Sequence, residues 1–342
     1  MLFRSARGPI GSLLIREAGH PVPDQDTFSA TEEALALTDG LTAEDTVLFL
    51  LSGGGSALFE APLVPQEELQ SITQSLLASG ADIVEMNTIR KRLSAVKGGR
   101  FAQHCAPARV FSIVLSDIIG DPLDMIASGP AYPDSSTCAD ARRIAEQYGL
   151  RLSPEASQCL ERETPKVLDN VETLITGSVR ELCAAASAAC RELGYEPVLL
   201  TDSLDCEARE AGAFLAAVAR AHQDTERSLA FLAGGETVVH LTGSGLGGRN
   251  QELALSAAAG IAGLEDTAVF SLGSDGTDGP TDAAGGFVDG GTKERLARQG
   301  VRIFEVLKNN DAYHALAACG GLLHMGATGT NVNDVAVLLI RR

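Results

Sequence analysis

The chain has 342 residues, 45% of them hydrophobic and 21% charged, an ordinary globular balance with material for two cores at about 150 residues per domain. Its formal net charge of −18 excludes nucleic acid and an anionic membrane surface as general partners, since both demand a basic face, but one local cationic cluster would still serve a phosphorylated small molecule. Seven scattered cysteines with no CxxC pair exclude a disulfide framework or zinc site and fit a reducing, cytoplasmic setting.

Residues 46–55 (TVLFLLSGGG) read as a buried parallel strand, a continuous apolar run ended by glycines. Helical spacing follows over 65–81 and again over 85–102, where Gly98 and Gly99 stop it. A strand over 108–121, a turn-rich loop over 126–137 and a helix over 139–150 complete the series. This alternation predicts an α/β fold with a doubly wound sheet covered on both faces. Residues 151–168, with weak periodicity and two prolines, read as the connection between domains. A second α/β series is expected from there. Its strands are 171–177 (VETLITG), 196–202, 228–241 and the start of 267–291, and its helices 180–194, 206–223 and 251–264. The final apolar run, 334–340 (DVAVLLI), is expected to return to the first sheet. The expected domains are thus 1–160, with 333–342 added, and a smaller one over 161–332.

Six clusters carry candidate chemistry. Ser52, Gly53, Gly54, Gly55 and Ser56 follow a buried strand, where backbone N–H groups can turn toward an anion; the plain alternative is a tight strand-to-helix turn. Asn87, Arg90, Ser94 and Lys97 share one face at helical pitch and suit a carboxylate or phosphate. Ser116, Asp117 and Asp121 close a parallel strand, where carboxylates are natural partners of Mg²⁺; the alternative for Asp117 is an Asx-turn. Glu236 and the glycine loop 243–248 lead to Arg249 at a helix start, where an arginine needs an anion to justify its position. Asp275, Asp278 and Asp282 lie in a glycine loop after an apolar strand, as Mg²⁺ ligands, a general base or a solvated turn. The segments 308–311 and 326–334 are polar turn clusters. None of the six histidines joins a nucleophile motif, and His20 reads as a turn residue.

Taken in order, EAGHPVPD, LSGGGSALFE, NTIRKRLSAVKGGR, LSDIIGDPLDMIASGPAYPDSST, GGETVVH, GLGGRNQELALSAA, GSDGTDGPTDAAGGFVDG, NNDAY and ATGTNVND resemble the glycerate 2-kinase family, from about Glu17 to the end. The resemblance implies a Rossmann-like first domain and a second α/β domain whose region from about 228 is the MOFRL domain. It implies ATP- and Mg²⁺-dependent phosphorylation of D-glycerate to 2-phosphoglycerate in a cleft between the domains. On that reading Arg249, Lys97, Asp275 and Asp278 are the catalytic candidates. Ser52, Gly53, Gly54, Gly55, Ser56, Asn87, Arg90, Glu236, Gly247, Gly248, Asn250, Asn310, Thr330 and Asn331 are binding candidates, and Asp117, Asp275 and Asp278 are metal candidates. The implied partners are glycerate and ATP, with a homodimer compatible. Family members usually carry an upstream segment with a glycine-flanked lysine that has no equivalent after Met1. A truncated inactive paralogue is therefore one alternative, with an exposed sheet edge and apolar surface. A hydroxypyruvate reductase, a label that family members have also carried, is the other.

Overall fold

The structure, a computed structural model, describes residues 2–3, 11, 13–19, 22–116, 120 and 122–342. Asp117, Asp121 and His20 lie outside the described residues. The chain forms two compact units, Met1–Leu115 with Asp121–Thr176, and Ser116–Gly120 with Gly177–Arg342. The division falls at 176/177 rather than at 160/161, and neither unit is the smaller by length.

The first unit holds β1 (Leu2–Phe3), β2 (Ile15–Arg16), α1 (Gln25–Leu37), β3 (Thr46–Leu51), α2 (Gly55–Leu58), α3 (Gln66–Ala78), α4 (Ile83–Arg92) and α5 (Arg100–Cys105). It continues with β4 (Arg109–Leu115), α6 (Cys138–Gln147), α7 (Pro154–Leu160) and β5 (Val171–Gly177). Capping boxes start three of these helices, Asp24 with Thr27, Asp82 with Glu85 and Thr137 with Asp140. The principal sheet runs β3-β4-β5, with β3 and β4 parallel. Phe59, Val96, Phe101 and Val110 pack with Val47 and Phe49 on one face. On the other face of β3, Leu48 is 60% and Leu50 67% exposed, so the sheet is not covered on both faces throughout.

Three expectations are corrected in this unit. Segment 151–168 is no linker, because Ser153 caps α7 and Ala156, Cys159 and Leu160 enter a core with Leu69, Ile72 and Ile144. Strand 171–177 belongs to the first sheet rather than opening the second. The single helix expected over 85–102 breaks at Arg92. There the chain turns to pair with 61–63 (Leu63 N to Leu93 O 2.8 Å, Ala95 N to Ala61 O 2.7 Å) before Gly99, at φ 82°, starts α5.

The second unit holds α8 (Val179–Glu192), β6 (Glu196–Leu204), α9 (Ala208–Ala221), β7 (Leu229–Gly235), α10 (Arg249–Gly260), β8 (Thr267–Gly273) and β9 (Gly285–Asp289). It ends with α11 (Thr292–Arg298), α12 (Ile303–Lys308), α13 (Ala312–Cys319), β10 (Leu322–Leu323) and β11 (Asp334–Ile340). Its six-stranded sheet has the order β10-β9-β8-β11-β7-β6, with β6 and β7 parallel and the other pairs antiparallel.

The last strand does not return to the first sheet. It sits between β7 and β8, antiparallel to both, with Asp334 opposite Gly235 and Gly273. The reason is two-sided burial. Val335 and Val337 enter one core beside Leu182 and Ala186 of α8, while Ala336, Leu338 and Ile340 enter another with α9 and α10. A strand apolar on both faces needs a central position between two helical layers.

Candidate functional site

In the first unit, glycine gives the turn 52–55 its shape. Gly54 is left-handed at φ 83°, and a Cβ on Gly55 would lie 2.6 Å from Ala127 Cβ. The facing loop is itself unusual: Ala127, Ser128 and Gly129 have φ 51°, 61° and 62° in succession. Two non-glycine residues there cost on the order of 1–3 kcal/mol each, strain that persists only where the surroundings impose it. The imposing contacts are present. Ser128 Oγ donates to Asn87 Oδ1 (2.8 Å) and lies 3.5 Å from Ser56 Oγ, and Gly98 N donates to Ser128 O (2.9 Å). The predicted Ser52–Ser56 turn and Asn87 are thus brought together, with Ser128 as a partner that no sequence signal marked.

Arg90 and Lys97 also converge here, though not on one helix face. Arg90 Nη2 donates to Ser56 O (3.1 Å), and Lys97 Nζ donates to Ser56 O (2.9 Å) and Phe59 O (3.0 Å). Lys97 is fully buried with Glu60 Oε2 3.6 Å away. Its donors are spent on the carbonyl end of α2, so it stands behind the glycine turn. Burial, only partly opposed by Glu60, lowers its pKa from 10.5 to about 8. A depressed folded value means that stability from this group is lost as pH falls through about 8 and is complete above 10.5. We expect the stability advantage of the parent over Lys97→Met, read from urea midpoints, to widen between those limits; a flat difference would refute this account.

Sequence reasoning missed a second cationic group. Lys91 and Arg92 are fully buried around Asp134, with Lys91 Nζ to Asp134 Oδ1 at 3.0 Å and Arg92 Nη1 to Asp134 Oδ2 at 3.7 Å. Asp134 also accepts from Thr164 Oγ1 (2.7 Å) and Ser136 N (3.0 Å). A charged run on a helix gives no warning of burial when its counter-ion lies forty residues on.

In the second unit the candidates gather at the carboxyl ends of β7 and β8 and the amino end of β11. Arg249, first residue of α10, donates from Nε to Asp334 Oδ2 (2.6 Å), from Nη2 to Asp334 Oδ1 (3.2 Å) and from Nη1 to Glu236 Oε1 (2.6 Å). Asn333 Nδ2 donates to Glu236 Oε2 (3.2 Å). The carboxylates raise the Arg249 pKa above its ordinary value despite burial, so it is a permanent cation. Asp334 was not among the nominated residues, although the turn before its strand was noted.

The backbone donors of the glycine loop are taken within the unit. Thr242 N and Gly243 N donate to Asn310 Oδ1 (2.7 and 3.0 Å), Ser244 N to Asn309 Oδ1 (3.3 Å), Gly245 N to Asn309 O (2.8 Å) and Leu246 N to Asp311 Oδ1 (2.9 Å). Gly243, Gly245 and Gly248 do satisfy the spacing G-x-G-x-x-G ahead of a helix, but the donors a pyrophosphate would need are already bonded to 309–311. Asn310 is therefore a buried clamp on this loop, its Nδ2 reaching Glu252 Oε2 (3.1 Å). The N-terminus of α10 is likewise taken, because Asp278 Oδ1 accepts from Asn250 N (3.1 Å) and Oδ2 from Gln251 N (2.9 Å). A Cβ on Gly248 would lie 2.3 Å from Asp278 Cγ, which explains that glycine. Asn250 Oδ1 in turn accepts from Ser271 Oγ (2.5 Å). Burial pushes the Asp278 carboxyl up to about 6. Asp278 thus caps the N-terminus of α10.

Among the described residues no three His, Cys, Asp or Glu side chains cluster as a metal site. Asp275 holds its own turn, accepting from Thr277 N (2.8 Å) and Thr277 Oγ1 (2.9 Å). Thr330 and Asn331 lie exposed nearby in sequence to Asp334, the Asn331 side chain accepting from Asn333 N (3.2 Å). The described carboxylates do not form a dedicated Mg²⁺ cage.

The fold and these clusters define a two-unit α/β protein with a cation-bearing site at strand ends. Residues 4–161 match the domain of unknown function DUF4147 and residues 229–334 the MOFRL family. The chain is 53% identical to a D-glycerate 2-kinase of Thermotoga maritima over 99% of its own length and 82% of that relative's. It is 40% identical to a glycerate 2-kinase of Pyrococcus horikoshii, covering 95% of this chain and 77% of that one. A crystal structure of glycerate kinase from Thermotoga maritima superposes with a TM-score of 0.95 at 53% identity, covering 98% of this chain and 82% of that chain. The chain belongs to the glycerate 2-kinase family.

Proposed function

We propose that this protein transfers the γ-phosphoryl group of ATP to the 2-hydroxyl of D-glycerate, giving ADP and 2-phosphoglycerate. The observation that carries the reading is Arg249, a permanent cation held in fixed orientation at the ends of three strands of a chain from this kinase family. Phosphoryl transfer asks little covalent chemistry of a protein, so positioning and charge neutralisation dominate. In the step itself the hydroxyl oxygen bonds to the γ-phosphorus as the bond to the ADP oxygen breaks, and the hydroxyl proton leaves. Arg249 would neutralise oxyanion charge through donors beyond those spent on Asp334. Of Asp275 and Asp278, Asp275 has the better access to accept the proton, because Asp278 is buried against the N-terminus of α10. Magnesium would accompany the nucleotide.

No helix among the described residues is long and apolar enough to cross a membrane, and all seven cysteines are free. Both fit work in the cytoplasm. The reductase alternative would rest on the glycine loop, whose backbone donors are bonded to 309–311, and on a weaker similarity than the kinase reading has, 39% identity against 53%. The purified chain incubated with ATP, Mg²⁺ and D-glycerate should yield a 2-phosphoglycerate signal by phosphorus NMR. Absence of product from protein shown to be folded would refute the reading and favour an inactive paralogue.

A further inference from the structure

Arg249 is held differently on its two edges. The Nε–Nη2 edge meets Asp334 in a bidentate pair, and Asp334 is only 8% exposed, at the first position of β11 between Gly235 and Gly273. That backbone is bonded on both sides and cannot swing. The Nη1 edge meets a single oxygen of Glu236, whose side chain is 44% exposed and lies just beyond the end of β7. Asn333 Nδ2 holds the other Glu236 oxygen at 3.2 Å.

The charge balance is one-sided. One guanidinium faces the carboxylates of Glu236 and Asp334, with Asp278 in its field as well. An oxyanion arriving at this cluster meets net negative charge unless one carboxylate withdraws. Asp278 is committed to the α10 backbone and Asp334 is buried. Only Glu236 can leave at low cost, since solvent already reaches it and Asn333 offers it a second partner.

We propose that Glu236 is a displaceable counter-ion that holds the ligand-binding edge of Arg249 until an oxyanion takes its place, while Asp334 is the positioning residue that keeps the guanidinium aimed throughout. This rests on the kinase reading for the identity of the oxyanion, a nucleotide phosphate or the glycerate carboxylate, but not for the exchange itself. Displacement makes Glu236 a competitor of the ligand. Removing its charge should therefore tighten binding, the opposite of what loss of a direct ligand contact would do.

The test uses the full chain and two variants, Glu236→Gln and Asp334→Asn. Binding of inorganic phosphate is measured by calorimetry, and kcat and KM for ATP and for D-glycerate by ADP release. For Glu236→Gln we expect the phosphate dissociation constant to fall by about threefold to tenfold, the scale of one partly solvated ion pair. The KM of whichever substrate sits on Arg249 should fall with it, and that arm tells ATP from glycerate. For Asp334→Asn, with melting and far-UV circular dichroism showing a folded chain, kcat should fall about tenfold or more with a smaller change in KM. If Asp334→Asn does not fold, Asp334→Glu, which keeps the charge and moves the fork, carries the same expectation. Unchanged or weaker phosphate binding in Glu236→Gln would overturn the exchange, and unchanged kcat in a folded Asp334 variant would overturn the positioning role. A parent without kinase activity that still binds phosphate more tightly as Glu236→Gln would refute the kinase reading alone.

Discussion

Arg249→Ala is expected to lower turnover by about 10²–10³-fold, the usual cost of removing one preorganised group that stabilises developing charge. The structure supplies the reason for so large an effect. The guanidinium is aimed by a bidentate carboxylate at 2.6 and 3.2 Å, so its position is set before any ligand arrives. The fold should survive, because Asp334 already has a pKa raised by burial and can take up a proton when its partner is gone. Arg249→Lys should recover only a small part of the loss, since an ammonium cannot engage Asp334 through two parallel donors and still reach outward. ADP-release kinetics with thermal melts would decide. A folded alanine variant with parental turnover would remove Arg249 from the site.

The second large effect concerns stability. Asp134→Ala should destabilise the protein by about 3–5 kcal/mol, because it strands two fully buried cations. The carboxylates left would be Asp124 at 3.2 Å from Lys91 Nζ and Glu163 at 3.5 Å from Arg92, both more exposed than Asp134, with Thr88 O and Ser136 as neutral acceptors for Arg92. Thr164 and Ser136 would lose an acceptor as well. The chain has no tryptophan, so urea unfolding would be followed by far-UV circular dichroism. The double variant Lys91→Met/Asp134→Leu should regain much of the loss, since replacing a buried pair whole costs less than breaking it. A midpoint unchanged in Asp134→Ala would show that the cluster contributes nothing.

The turns and the anomalous arginine were legible because their chemistry is local. Glycines that follow apolar strands mark turns, and the turn at 52–56 and the glycine at 248 are where the pattern places them. An arginine at the start of α10 is anomalous without a nearby anion, and the structure supplies two carboxylates. What spacing leaves open is which donors and acceptors the fold has already used. The glycine loop, Asp278 and Lys97 all have the residue types of ligand contacts, yet each is spent inside its own unit, on 309–311, on α10 and on α2.

Sequence by itself determined the α/β class and most strands and helices, since these depend on periodicity, caps and turn residues within a few positions of one another, while the family was carried by the resemblance of its ordered motifs. Tertiary structure alone decided three things: that β5 joins the first sheet, that β11 lies between β7 and β8, and which polar groups are committed to the protein. Each depends on partners far apart in the chain, as Asp334 on Arg249, Asp134 on Lys91 and Asn310 on Thr242. The physical reason is that a side chain's role follows from what is left of its hydrogen-bonding and charge once the fold has used it. Spacing along the chain does not record that remainder.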